Sequence, residues 1–129
     1  MKAWIAVVAL VGMLVSGLVM AEDFANDGNY LLTNCTIAKR YIDGSTTETG
    51  GDTFRFGVCL GVVEGARNMM MLMESLLDKS RRTCFPENGI KNDQAVRVVL
   101  KYLNDHPAEL HQDQTYLTFM ALRDAYRCK

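Results

Sequence analysis

Residues 52–79 read DTFRFGVCLGVVEGARNMMMLMESLLDK, and their spacing decides the fold. Cys59, Val62, Ala66, Met69, Met73 and Leu76 recur in steps of three and four, the period of one helical face. Glu64, Arg67, Asn68, Glu74, Ser75 and Asp78 gather on the other side. Asp52 is placed to cap the start of this helix. Glu64 and Arg67, three residues apart, read as a surface ion pair. Gly61 and Gly65 lie four apart on one side. Each glycine costs a helix about 1 kcal/mol against alanine, so the pair is expected to serve a close helix crossing.

The neighbouring segments continue the pattern. Asp43 to Asp52 (DGSTTETGGD) has three glycines and no large apolar side chain, so it reads as a loop. Before it, Tyr30, Leu31, Cys35, Ala38 and Ile42 give a helix over Asn29–Ile42, capped by Asn26 or Asp27. Pro86 and Asn88-Gly89 break the chain between Arg81 and Gly89. A third helix starts at Asn92 or Asp93 and turns Ala95, Val96, Val99, Tyr102 and Leu103 inward. It ends at His106-Pro107, because the residue before proline resists the helical conformation. A fourth runs from Pro107 or Ala108 to about Tyr126, bending near His111, with Leu117, Ala121, Leu122 and Ala125 inside. Nothing alternates with period two. The expected fold is all-α: one compact four-helix domain of two helical hairpins.

The chain has 129 residues, which suits a single domain. Residues 1–21 (MKAWIAVVALVGMLVSGLVMA) read as a secretion signal: Lys2 is the positive start, Ile5 to Val15 the apolar stretch. Val19-Met20-Ala21 offers a cleavage site before Glu22. The competing reading is a membrane anchor, since the apolar run approaches the ~20 residues that span a bilayer. The cleavage site favours export and release, with no membrane attachment afterwards. Residues 22–129 form the mature domain. They hold 13 of the 14 basic residues and all 15 acidic ones, a net charge of −2. Nucleic-acid binding needs clustered Lys and Arg, so that class is excluded.

The mature part holds four cysteines, Cys35, Cys59, Cys84 and Cys128. An even count in a small exported chain reads as disulfides, and no C-x-x-C pair offers a zinc or redox centre. Cys35 lies seven residues before the end of the first helix, and Cys59 seven after the start of the second. In an antiparallel hairpin both stand ~10 Å from the turn. Cys84 precedes the third helix and Cys128 follows the fourth, which is expected to outrun the third. The pairing is therefore Cys35–Cys59 and Cys84–Cys128. These close loops of about 25 and 45 residues, worth about 3–4 kcal/mol each in the chain-entropy model.

Groups for catalysis do not converge. His106 and His111 share no helix face, so a metal site is not expected. Ser75 and Ser80 have no histidine in register. Gly50-Gly51 lacks the Lys and Ser/Thr of a phosphate loop, so no cofactor is expected. A non-enzymatic protein fits better. Candidate partner-binding residues fall in two groups. Met71 stands amid the polar face of the second helix, and Tyr116 and Met120 stand beside Arg123 and Arg127 on the fourth. Exposed apolar residues so placed fit a protein interface. The second group is the polar hairpin loop, with Asp43, Ser45, Thr47 and Glu48, presented on a stiffened base.

Several of these residues carry a family resemblance. Cys59-Leu60-Gly61 with Glu64-Gly65 resembles the C-x-G-x-x-x-G start of a family helix. Cys84-Phe85-Pro86, Gln94, Val98-Val99, Tyr102-Leu103 and His106-Pro107 resemble its central signature. Ala121-Leu122, Ala125-Tyr126 and Cys128 resemble its closing one. Together they are similar to the Rap/Tai immunity proteins of type VI secretion over residues 24–128. The resemblance implies a periplasmic, all-α, disulfide-bonded protein, often a homodimer. It implies binding to a peptidoglycan amidase effector whose Cys–His active site is occluded. The motifs are structural, so they transfer no contact residues. The alternative functions are a periplasmic chaperone or stress-response protein, for which fifteen carboxylates would allow acid loosening, and an envelope structural subunit.

Overall fold

The computed structural model describes residues 26–45 and 49–129. The signal segment, Thr47 and Glu48 lie outside the described residues. Among these there are four α-helices and no strand: α1 Gly28–Ile42, α2 Gly50–Met73, α3 Asn92–Asp105 and α4 Gln114–Ala125. Two isolated bridges, Asp27 to Asp113 and Thr83 to Arg127, are the only extended pairings there. Every helix packs against the other three.

The caps explain the boundaries. The Asp27 carboxylate accepts from the Tyr30 N–H at 2.9 Å and starts α1. Lys39 and Arg40 sit in its last turn, where the helix dipole favours cations. α2 begins three residues earlier than expected, with Thr49 and not Asp52 at its cap and Asp52 in its first turn. It ends at Met73 and tightens into the single 3-10 turn Glu74–Leu76, short of the expected Lys79. The fourth helix is also shorter than expected. Pro107–Glu109 forms a lone 3-10 turn, and α4 starts only after Asp113, whose carboxylate accepts from the N–H groups of Thr115 and Tyr116 at 2.8 and 3.0 Å. The stretch between is tied to the start of α1. Gly28 N–H donates to the Gln112 carbonyl, and Gln114 N–H to that of Asn26. Those bonds occupy backbone groups that a continuous helix would need.

The core joins Leu31, Cys35 and Ala38 of α1 with Cys59, Val63 and Met70 of α2. α3 adds Ala95, Val96, Val99, Leu100 and Leu103, and α4 adds Leu117, Ala121 and Leu122. On α2 this is a correction of frame. The buried positions are Cys59, Val63, Ala66 and Met70, while Met69, Met73 and Leu76 are 57%, 39% and 77% exposed. Both frames share Cys59 and Ala66. Met69 to Met73 is apolar throughout, so hydrophobicity alone could not choose between them. On α4, Ala125 is exposed and Thr118 takes a buried place, with its hydroxyl satisfied by the Gln114 carbonyl at 2.8 Å.

One further expectation is overturned, and another, the Glu64–Arg67 pair, is met only in part. Gly61 and Gly65 are not at a helix crossing: both are exposed, and a Cβ at either would meet nothing within 4 Å. Arg67 is not a plain surface ion. Its side chain is 13% exposed and its guanidinium lies 3.9 Å from Glu64. It also donates to the Ile90 carbonyl at 2.8 Å, which ties α2 to the segment before α3.

Both disulfides form as expected, Cys35–Cys59 with Cα atoms 5.0 Å apart and Cys84–Cys128 with 4.9 Å. The reason differs for the second. α4 has 12 residues against 14 in α3, so it does not outrun it. Extended ends do the joining. Thr83 pairs with Arg127, and Cys84 N–H donates to the Tyr126 carbonyl at 2.8 Å. Phe85 packs on Tyr126 with ring centroids 5.3 Å apart, and Gln94 donates to the Tyr126 hydroxyl at 2.9 Å.

The glycines give opposite predictions. A Cβ on Gly28 would lie 2.4 Å from Leu117 Cδ1 and 3.0 Å from the Leu110 backbone. Gly28→Ala is expected to destabilise by about 1–3 kcal/mol, whereas Gly61→Ala, in open space, is expected to stabilise by about 0.5–1 kcal/mol. Urea unfolding followed by circular dichroism measures both. Equal effects of one sign would contradict the packing described.

Candidate functional site

α2 is more apolar than its share of the core requires. Its most apolar 18-residue window has a mean hydropathy of 1.2, yet only 22% of that window is buried. Length and hydropathy alone would let such a helix cross a bilayer. Here it is cross-linked to α1 through Cys59 and packs on all three other helices. The uncovered surface is concentrated at its C-terminal end, where Met69, Met71, Leu72, Met73 and Leu76 are exposed. An apolar cleft of about 300 Å³ opens beside them, between Met69, Met70 and Met73 on one side and Thr115 and Phe119 on the other. Single exposed apolar residues are ordinary, but Met69, Leu72, Met73 and Leu76 recur in steps of three and four on one side of the helix next to an apolar cleft, a patch of the kind that proteins bury, whereas Met71 stands on the polar side. Phe54, 62% exposed, stands near the opposite end of α2.

The expected binding residues do not form one surface. Met71 and Tyr116 are each about half exposed, as their positions among polar residues suggest. Met120 is half-buried and lines a different cleft, described below. Asp43 and Ser45 lie at the α1–α2 turn, about 30 Å along α2 from Met71 at 1.5 Å per residue. Asp43 is engaged structurally. Its carboxylate accepts from Lys39 Nζ and from the Arg97 guanidinium, both at 2.6 Å, so it ties the hairpin turn to α3. Hydrogen bonds from Lys39 and Arg97 hold its carboxyl below the ordinary 3.8.

A second site was not foreseen. A cleft of about 490 Å³ is lined by Lys79, Arg82, Arg123 and Arg127, with Tyr102, His106 and Met120 contributing apolar and aromatic surface. The rings of Tyr102 and His106 stack with centroids 4.0 Å apart. His106 Nδ1 lies 2.8 Å from the Tyr102 carbonyl, and the Tyr102 hydroxyl donates to Glu109 at 3.2 Å. Burial, reinforced by the Glu109 charge, pushes the Tyr102 phenol above its usual range, so it remains a neutral donor. The cations come from two stretches more than forty residues apart in sequence. Only the Cys84–Cys128 pairing signals that they meet. Among the described residues, no group of three or more His, Cys, Asp or Glu side chains is arranged to hold a metal ion.

A family model described as Rap1a immunity proteins matches residues 27–128, almost the whole of the described domain. No curated protein and no solved structure matches the chain.

The Asp43 geometry predicts a pH dependence. Because its folded pKa is lowered, the unfolded chain takes up the proton first as pH falls. The stabilisation is therefore whole above pH 3.8 and is lost as the pH drops through the lower folded value. Asp43→Asn is expected to melt at a slightly lower temperature than wild type at pH 7, by a salt-sensitive margin since the pairs face solvent. The two curves should converge at acid pH. A gap that persists there would contradict the ion pairing.

Proposed function

The chain belongs to the Rap1a immunity protein family, and on that premise we propose that it neutralises a type VI secreted peptidoglycan amidase in the periplasm by sterically covering its active site. An immunity protein binds a secreted effector; the amidase, the periplasmic site and the manner of inhibition are the proposal. The match across 27–128 carries it. Three features of the molecule support the finer reading. Two disulfides suit an oxidising compartment outside the cytoplasm. The cross-linked bundle presents a preorganised surface, so little ordering entropy is lost on binding. The exposed apolar end of α2, from Met69 to Leu76, supplies what a partner would bury. Association of two copies into a homodimer is part of the same proposal, and light scattering of the purified protein tests it.

Inhibition by occlusion needs no chemistry from the inhibitor, only complementary shape and a slow off-rate. On this reading the contact centre is Leu72 and Leu76, a choice supported by their exposure of 74% and 77%. Apolar anchors there can enter a cleft, while Arg81 and Asp78, paired at 2.9 Å, form a polar border.

The test is growth of cells that export a peptidoglycan amidase effector, with and without this protein. Co-expression is expected to restore growth, and the purified protein to suppress hydrolysis of cross-linked peptidoglycan. Leu72→Glu with Leu76→Glu should weaken binding by about a hundredfold or more, about 3 kcal/mol. Both positions are exposed, so folding stability should change by no more than about 0.5 kcal/mol each. Absence of protection against the effectors of its own cell would sink the proposal. Full protection by the double variant would move the contact away from α2.

A further inference from the structure

The domain is net acidic, yet one of its clefts is strongly basic. Lys79, Arg82, Arg123 and Arg127 line a space of about 490 Å³ in which Asp124 is the single carboxylate. Asp124 is already paired with Arg127. Lys79 makes no ion pair among the described residues, and Arg123 reaches only the Ser80 carbonyl, at 3.4 Å. Concentrated positive potential in a concave site attracts anions well beyond what net charge suggests. The space is far larger than one carboxylate or phosphate, and lies in the range of sites that hold extended ligands. Its lining is not uniformly polar. The stacked Tyr102–His106 rings and the Met120 side chain add aromatic and apolar surface to the same cleft. Such a mixture fits a peptide, with acidic side chains on the rim and backbone or apolar groups against the rings.

The second disulfide builds this cleft. Arg82 stands two residues before Cys84, and Arg127 immediately precedes Cys128. The Thr83–Arg127 bridge and the Cys84–Cys128 bond hold these two chain segments side by side. Arg82 is further fixed by donating its Nε–H to the Leu77 carbonyl. The guanidinium groups are thus positioned before any ligand arrives, which lowers the entropy lost on binding.

We propose that this cleft is a docking site for an acidic segment of the protein partner, whose carboxylates bind among Lys79, Arg82, Arg123 and Arg127. The proposal rests on the immunity reading for the identity of the partner, but the cleft can be tested alone. The probe is a fluorescein-labelled hexapeptide of alternating Glu and Asp, titrated with the oxidised protein at low salt and read by fluorescence anisotropy. Binding is expected, weakening as salt screens the charges. Lys79→Gln with Arg123→Gln should reduce affinity about tenfold or more, the effect of losing charge-assisted hydrogen bonds, with an unchanged melting temperature. Arg55→Gln, an exposed cation outside the cleft, should bind as wild type. Equal affinity of the double variant, or equal binding of the matching Gln/Asn peptide, would overturn the proposal. So would displacement of the probe by inorganic phosphate at equal charge concentration, which would make the cleft a small-anion site. A protein that protects cells but ignores the acidic peptide would sink the cleft and spare the immunity reading. One that binds the peptide but protects against no effector would do the reverse.

Discussion

The Cys35–Cys59 bond is the constraint on which the rest of the bundle depends. Both cysteines are fully buried at the centre of the core, and their Cα atoms stand 5.0 Å apart. With Cα atoms about 2.3 Å off a helix axis, that separation matches the 8–10 Å typical between packed axes, so the bond fixes α1 and α2 face to face near mid-length at ordinary packing distance. Ala38 of α1 and Ala66 of α2 are buried as well, and Leu103 of α3 and Leu117 of α4 belong to the same core as the two cysteines. A domain of this size gains limited stability from its core alone, so a covalent bond placed there weighs heavily. It also removes much of the freedom that the long polar connection between α1 and α2 would otherwise give the unfolded chain.

With that hairpin fixed, α2 is released from part of its packing duty. It can carry exposed glycines at positions 57, 61 and 65, each a loss of about 1 kcal/mol against alanine, and still hold its place. It can also leave Leu72 and Leu76 in solvent. Neither feature serves the isolated fold, and both suit a helix with one face in the core and another against a partner. The second disulfide has a different office. It closes the end of the molecule, where Thr83, Tyr126 and Arg127 are already joined through the backbone, and it gathers cations from two distant stretches of chain.

Much of the fold was legible because helices announce themselves by period and caps. Asp27, the polar turn after Ile42 and His106-Pro107 each act locally, and the structure places helix ends at or near them, whereas Pro86 lies in the connection between α2 and α3, well past the end of α2 at Met73. The disulfide pairing was readable from position along the hairpins, although its second half holds for another reason: extended ends meet where a long fourth helix was expected. Three things were hidden. The apolar run from Met69 to Met73 satisfies two helical frames, and only packing against α3 and α4 selects Met70. The late start of α4 depends on hydrogen bonds to residues 26 and 28, far away in sequence. The glycine pair looked like a crossing because small residues permit close approach, but permission is not contact. Among the candidate binding residues, exposure of Met71 and Tyr116 followed from helical position, whereas the engagement of Asp43 with Arg97 and the basic cleft arise only from tertiary contact.

The central claim is that two oxidised cysteine pairs hold this bundle in a binding-ready shape. The most direct measurement is a non-reducing proteolytic digest of protein taken from the cell envelope, with thiols blocked at lysis and peptides identified by mass. The account predicts peptides linked through Cys35–Cys59 and Cys84–Cys128, and no blocked cysteine. Free thiols at any of the four positions, or links that cross the two pairs, would contradict it.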